Sequence, residues 1–228
     1  MLKKAIIGAV AVAIAIIAII ANEVINRSTD NPFDKVTTIT EFKEGIHYSV
    51  IDTNKIKPYL DQLGINEGES FEIFSYTCPA CFGFEPLVNA IDKKYSLNIT
   101  QLQLGFEGLP LAEIDYLIKA LHTGNDRKAA KIAVYNLMLD HAKTLEQKKA
   151  EVMNPINVLG VSENEITEEM KQKSKEYAEH TVALADALEL QSTPSIYLGG
   201  KYLLHMAEIK SPNNLFRLIE ELKSKEKI

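Results

Sequence analysis

The chain holds two cysteines, and both lie in one short motif, Cys78-Pro79-Ala80-Cys81. The motif directly follows the apolar run Phe71-Glu72-Ile73-Phe74-Ser75-Tyr76, so the pair falls where a strand hands over to a helix. The first cysteine then sits at or beside a helix N-terminus, where unpaired N–H groups and the helix dipole favour a thiolate. Pro79 suits the first helical turn because it has no N–H to lose there. Cys81 lies one turn further in, close enough to close a small disulfide. The arrangement suits redox chemistry.

Two blander uses of the motif are weaker. A structural zinc site takes four ligands, and a single C-x-x-C supplies two. His47, His122, His141, His180 and His205 show no H-x3-5-H spacing and there is no second C-x-x-C, so no metal is expected. A purely structural disulfide across so short a loop would constrain the unfolded chain little.

With 228 residues, 46% of them hydrophobic and 25% charged, the chain is long enough to bury a substantial core. A net charge of −6 and the lack of any Lys/Arg stripe argue against a nucleic-acid partner. Residues 1–4, Met1-Leu2-Lys3-Lys4, form a basic start, followed by the apolar run 5–21. That run reads either as a cleaved secretory signal or as an uncleaved signal-anchor helix. Ala21 and Ile19 make a poor cleavage site, which favours the transmembrane anchor. Both readings leave Lys3 and Lys4 inside and export the rest, into the oxidising compartment where a catalytic disulfide is used.

Residues 22–44 are polar and aperiodic and read as a stalk. The folded domain is expected over 45–228. Strands are predicted at 46–51, 71–76 and 97–104, with a helix from Cys78 to about Lys93 or Lys94. From Pro110 to about Leu190 the pattern is helical, with caps at Asn125-Asp126 and Thr144 and breaks at Asn154-Pro155 and Gly160. Met170, Ser174, Tyr177, Thr181, Leu184 and Leu188 recur at helical steps and mark one buried face. Strands return at 195–198 and 202–204 around a Gly199-Gly200 hairpin turn. Ser211-Pro212 opens a last helix with Leu215, Leu218, Ile219 and Leu222 on one face. The expected order is β-β-α-β, a helical block, then β-β-α.

The redox pair, this order and Thr193-Pro194 together resemble a thioredoxin-like α/β fold with a helical insertion at about 110–188. The nearest likeness is to the bacterial DsbA-type thiol:disulfide interchange family. Residues 71–86, reading FEIFSYTCPACFGFEP, resemble that family's strand, active site and helix start. Residues 193–203, reading TPSIYLGGKYL, resemble its second signature. The resemblance implies that Cys78 is the nucleophilic, partly exposed cysteine and Cys81 the buried resolving one. It also implies a cis proline at Pro194 packed against the disulfide, and backbone groups of Thr193 offered to a bound peptide. Glu72 matches the family's acidic residue beneath the active site. It either sits at an exposed strand end or is buried, in which case it would relay protons to or from Cys81.

The implied activity is an exported protein oxidoreductase, without cofactor, that introduces disulfides into reduced secretory proteins and is reoxidised by a quinone-linked membrane thiol oxidase. Its place would be the periplasm, held to the inner membrane by the N-terminal helix, or soluble there if the leader is cleaved. Two residues depart from the family's most oxidising pattern. Ala80 brings neither charge nor side-chain hydrogen bond to the sulfur, and Thr193 resembles the threonine of reductase and isomerase relatives. A reductase or isomerase of the same fold is therefore the alternative. A third reading, from another class, is a membrane-tethered peptide-binding or chaperone module with a fixed disulfide.

Overall fold

The computed structural model describes residues 38–105 and 108–226. The basic start at 1–4, the apolar segment 5–21 and the stalk 22–44 down to residue 37 lie outside the described residues. Among those described, no helix is long and apolar enough to cross a membrane. The compact unit begins at Glu41.

Five strands form one mixed sheet. They are β1 (Tyr48–Val50), β2 (Phe71–Phe74), β3 (Thr100–Gln103), β4 (Ser195–Leu198) and β5 (Tyr202–Leu204), in the order β1-β5-β4-β2-β3. β2 runs parallel to β3, while the other neighbours are antiparallel. β2 therefore lies inside the sheet, between β4 and the edge strand β3, and all four of its residues are buried. Phe71 and Ile73 face Ile56 and Leu60 of α1 (Thr53–Gln62) and Leu184 and Leu188 at the end of α7 (Glu168–Ala187). Alternation along the strand sends Glu72 and Phe74 to the opposite face. There α2 (Pro79–Tyr95) and α9 (Pro212–Glu226) lie side by side, joined by the Tyr95 hydroxyl on the Phe216 carbonyl at 3.3 Å.

The helical insertion comprises α3 (Leu111–Leu121), α4 (Gly124–Leu139), α5 (Leu145–Val152), α6 (Pro155–Leu159) and α7, with a 3-10 turn at Glu163–Glu165. Its core is continuous with the end of β2. Leu111, Ile114, Leu117, Ile118, Val134 and Met138 pack in one cluster with Phe74, Tyr76 and Cys81. Gly160, left-handed at φ 66, ends α6. The stripe expected on α7 is real: Ser174, Thr181, Leu184 and Leu188 are buried, with Tyr177 and Met170 half-buried.

Several elements differ from the sequence reading. Helix α1 was not expected between β1 and β2. Its sequence is mostly polar and contains Pro58, which breaks an interior helical hydrogen bond. Asp52 offsets this as N-cap, accepting from the Asn54 N–H at 3.0 Å, and Ile56 and Leu60 bury the inner face. Helix α4 is capped at Thr123 and starts at Gly124, ahead of the expected Asn125-Asp126. The strand foreseen at 97–104 shrinks to 100–103 because Asn98 takes a left-handed φ of 51, and the Asp92 carboxylate accepts the Ile99 N–H at 3.0 Å. The cap at Thr144 is present as a full capping box with Gln147. A short helix, α8 (Met206–Ile209), was not anticipated. The Gly199-Gly200 turn is where foreseen, and a Cβ on Gly200 would stand 2.8 Å from the Gly68 Cα.

Candidate active site

Cys78 is the N-cap of α2 and Pro79 occupies its first turn. The chain leaves β2 through a tight turn in which the Cys78 N–H donates to the Ser75 carbonyl at 3.1 Å. The Cys78 sulfur then accepts the Cys81 N–H at 3.2 Å, one of the orphan donors of the helix start. Both cysteines are thiols here, Cys78 half-buried and Cys81 fully buried. Ala80 is exposed in the first turn. The Thr193–Pro194 peptide bond is cis, and the Cys78 thiol donates to the Thr193 carbonyl at 3.4 Å. Two segments more than a hundred residues apart in sequence thus meet at the pair.

The two thiols differ in environment. Burial pushes the Cys81 thiol up to about 12, reinforced by its hydrogen bond with Cys78 and opposed by hydrogen bonding from Thr193 and from the Ser75 backbone. Cys78 opens toward solvent beside Phe82, which is 37% exposed.

Glu72 lies inside β2, between β3 and β4, at 1% exposure, which removes the exposed-end alternative. Its β3 neighbour Gln101 donates to it at 2.6 Å. Burial raises the carboxyl to about 7, against the Gln101 hydrogen bond; Glu85 raises it further and Lys131 lowers it. Lys131, from α4, bridges to Glu85 at 2.6 Å and to the Gln101 side-chain oxygen at 2.8 Å, with its ammonium 4.5 Å from the Phe74 ring centroid. Beside this lies a second buried group. Asp115 accepts from the Tyr76 hydroxyl at 2.9 Å and the Tyr177 hydroxyl at 3.0 Å, and pairs with Lys119 at 2.7 Å. Lys119 also donates to the Gln101 carbonyl.

Glu85, Gln101, Lys131 and Tyr135 were not singled out from the sequence. Glu85 does lie inside the 71–86 motif, and Lys131 and Tyr135 are four residues apart on one face of α4, the spacing that could have flagged them. Among the described residues no three His, Cys, Asp or Glu side chains gather into a group that could hold a metal.

Comparison with known proteins agrees with this geometry. The family model described as Thioredoxin matches residues 70–221. A thiol:disulfide interchange protein DsbL of Escherichia coli O6:H1 is 26% identical over 207 residues, covering 82% of this chain and 90% of that protein. A thiol:disulfide interchange protein DsbA of Pseudomonas syringae pv. tomato is 25% identical, covering 70% of this chain and 75% of that protein. The crystal structure of DsbL from Salmonella enterica serovar Typhimurium superposes with a TM-score of 0.60 at 21% identity, over 81% of this chain and 98% of that one. At that identity the superposition bears on the fold: a thioredoxin-like domain with a helical insertion.

Proposed function

The chain belongs to the thioredoxin family and within it is of the DsbA type, and from this we propose that it is a protein thiol:disulfide oxidoreductase whose Cys78–Cys81 pair passes a disulfide to folding proteins. The observation that carries the reading is the asymmetry of the pair. Cys78 sits at a helix N-terminus, open to solvent and against Thr193, while Cys81 is buried with its thiol held at about 12.

In the oxidising direction a substrate thiolate attacks the Cys78 sulfur. The new sulfur–sulfur bond forms as the Cys78–Cys81 bond breaks, and the electron pair goes to Cys81, which takes a proton. A second substrate thiolate then attacks the substrate sulfur of the mixed disulfide, and Cys78 leaves as a thiolate at the helix terminus. Two electrons have moved from the substrate dithiol to the pair. Thr193 and Pro194 border the site and offer an edge to an extended peptide. Glu72 is the candidate proton donor to Cys81, since a carboxyl near 7 is poised between acid and base at neutral pH.

On this reading the substrates are reduced secretory proteins and the reoxidant is a quinone-linked membrane thiol oxidase. The apolar segment 5–21 would hold the enzyme at the periplasmic face of the inner membrane. Cell fractionation with N-terminal sequencing tests that last part, and a soluble product beginning near Asn22 would overturn the anchor alone. One observation favours a reductase working in the opposite direction: the exposed Ala80 adds no charge to stabilise the reduced pair. Equilibrating the full chain with glutathione redox buffers and counting free thiols decides the direction. A pair that stays oxidised at very reducing potentials would instead point to a fixed disulfide and a peptide-binding role.

A further inference from the structure

Tyr135 comes from α4 of the insertion, and its ring lies against the redox site. It meets Tyr76 at 4.8 Å, Phe82 at 5.1 Å and Phe74 at 6.0 Å between ring centroids. The side chain is 1% exposed, and among the described residues its hydroxyl is a buried polar atom with no protein hydrogen-bond partner. The neighbouring buried tyrosines are different, since the Tyr76 and Tyr177 hydroxyls both donate to Asp115. A buried hydroxyl without a protein partner costs stability unless a water takes its hydrogen bond.

Burial raises the pKa of the Tyr135 hydroxyl, and the charges of Glu85, Cys81, Glu72 and Cys78, the groups of the reaction, add to that rise. One turn back on the same face of α4, Lys131 ties to Glu85 and, through Gln101, to Glu72. Asp115 stands behind Tyr76. Tyr135 also belongs to the buried cluster that holds Cys81, Phe74 and Tyr76, and Phe74 shares the sheet face of Glu72, so the ring lies in the neighbourhood of both the proton donor proposed above and the sulfur that must be protonated.

We propose that Tyr135 is a positioning residue for proton delivery to Cys81: its hydroxyl orients one water between the Glu72 carboxyl and the Cys81 sulfur. When the Cys78–Cys81 bond breaks, the water gives a proton to the Cys81 thiolate and takes one from the Glu72 carboxylic acid. Glu72 becomes a carboxylate and is reprotonated from solvent. The inference rests on the oxidoreductase reading. It adds the insertion helix to the proton chemistry of the pair, which the two signature motifs leave to the thioredoxin-like part.

The test is stopped-flow reduction of the oxidised full chain by excess glutathione from pH 5 to 9, comparing the parent with Tyr135→Phe. At each pH the ratio of the two rates cancels the ionisation of glutathione. The parent should be faster by about tenfold near pH 6, less than a whole general acid contributes. The ratio should fall toward one by pH 9, where Glu72 has no proton to give. Alkylation of Cys78 in the reduced variant should match the parent. A ratio near one throughout, or a slowing by the same factor at every pH, would overturn the proposal, the latter being what lost packing produces. If Tyr135→Phe fails to fold, 3-fluorotyrosine at position 135 keeps the ring and makes the hydroxyl more acidic. As a stronger hydrogen-bond donor it should change the rate near pH 6 and leave the rate at pH 9 alone, and a rate unchanged at both overturns the proposal equally. A parent that does not exchange with glutathione at any pH sinks the oxidoreductase reading itself. A parent that exchanges beside an indifferent variant sinks only the role of Tyr135.

Discussion

The Cys78 thiol donates its proton to the Thr193 carbonyl at 3.4 Å, which makes that carbonyl's hydrogen bonding depend on the state of the sulfur. Once the sulfur is a thiolate or is bonded to a partner, it has no proton to donate. The carbonyl is then free to accept an N–H from an extended peptide, the pairing used when a strand adds to an edge. Thr193 also counters the upward push of burial on the Cys81 thiol, so Thr193 acts on both members of the pair.

The reactivity of the two cysteines should differ sharply. With its thiol near 12, Cys81 is a thiolate in about one molecule in ten thousand at pH 8. Iodoacetamide should label Cys78 first in the reduced protein, as peptide mapping would show. Cys81→Ala should accumulate mixed disulfides on Cys78, and Cys78→Ser should abolish exchange. Faster labelling of Cys81 would reverse the assigned roles.

Glu72 should cost stability at neutral and alkaline pH. Its folded value of about 7 lies above the ordinary 4.5, so the folded state binds the proton more tightly than the unfolded one. Stability then falls as pH rises from about 4.5 to about 7, by about 3 kcal/mol at most. Glu72→Gln keeps the hydrogen-bonding shape and removes the charge. It should therefore stabilise the reduced protein by about 1–3 kcal/mol at pH 8 and by little at pH 4. Urea unfolding across that range checks it, and a gain that does not depend on pH would contradict the assignment.

Asp115 should be among the most sensitive polar positions. Its carboxylate is buried and serves Tyr76, Tyr177 and Lys119 together, while burial holds the Lys119 amine below its ordinary value. Asp115→Ala removes the counter-ion of the half-buried Lys119 ammonium and the acceptor of the Tyr76 and Tyr177 hydroxyls, at a cost of about 3–5 kcal/mol. Adding Lys119→Met should recover part of that loss, a coupling of about 1 kcal/mol or more in a double-mutant cycle. Strict additivity in urea unfolding would show that the pair is not coupled.

Ala80 should set how oxidising the pair is. It is exposed in the first turn of α2, next to the sulfur at the helix start. A histidine there brings positive charge to the Cys78 thiolate and stabilises the reduced form. Ala80→His should raise the reduction potential by about 30 mV, a tenfold change in the glutathione equilibrium. The effect should grow from pH 8 to pH 6 as the imidazole charges. A potential that is unchanged or lower would remove position 80 as the control.

The local pattern of the chain already determined much. A strand ahead of the pair, ending at Phe74 where Tyr76 was expected, a proline in the first helical turn and a cysteine at each end of that turn depend on neighbours within a few residues, so the junction could be read almost directly. The same is true of the hairpin at Gly199-Gly200, the capping box at Thr144 and the stripe on α7. Where local signals conflicted, tertiary structure decided. Helix α1 survives Pro58 because Ile56 and Leu60 find the face of the sheet against Leu184 and Leu188, a burial no local window contains. Glu72 could have faced water or the core, and only the place of β2 between β3 and β4 buried it. Its surroundings come from β3, α2 and α4, in Gln101, Glu85 and Lys131. That the Tyr135 hydroxyl has no protein partner among the described residues arises the same way. Whether a buried polar group is paired depends on which distant segments fold against it, and that is a property of packing, not of sequence pattern.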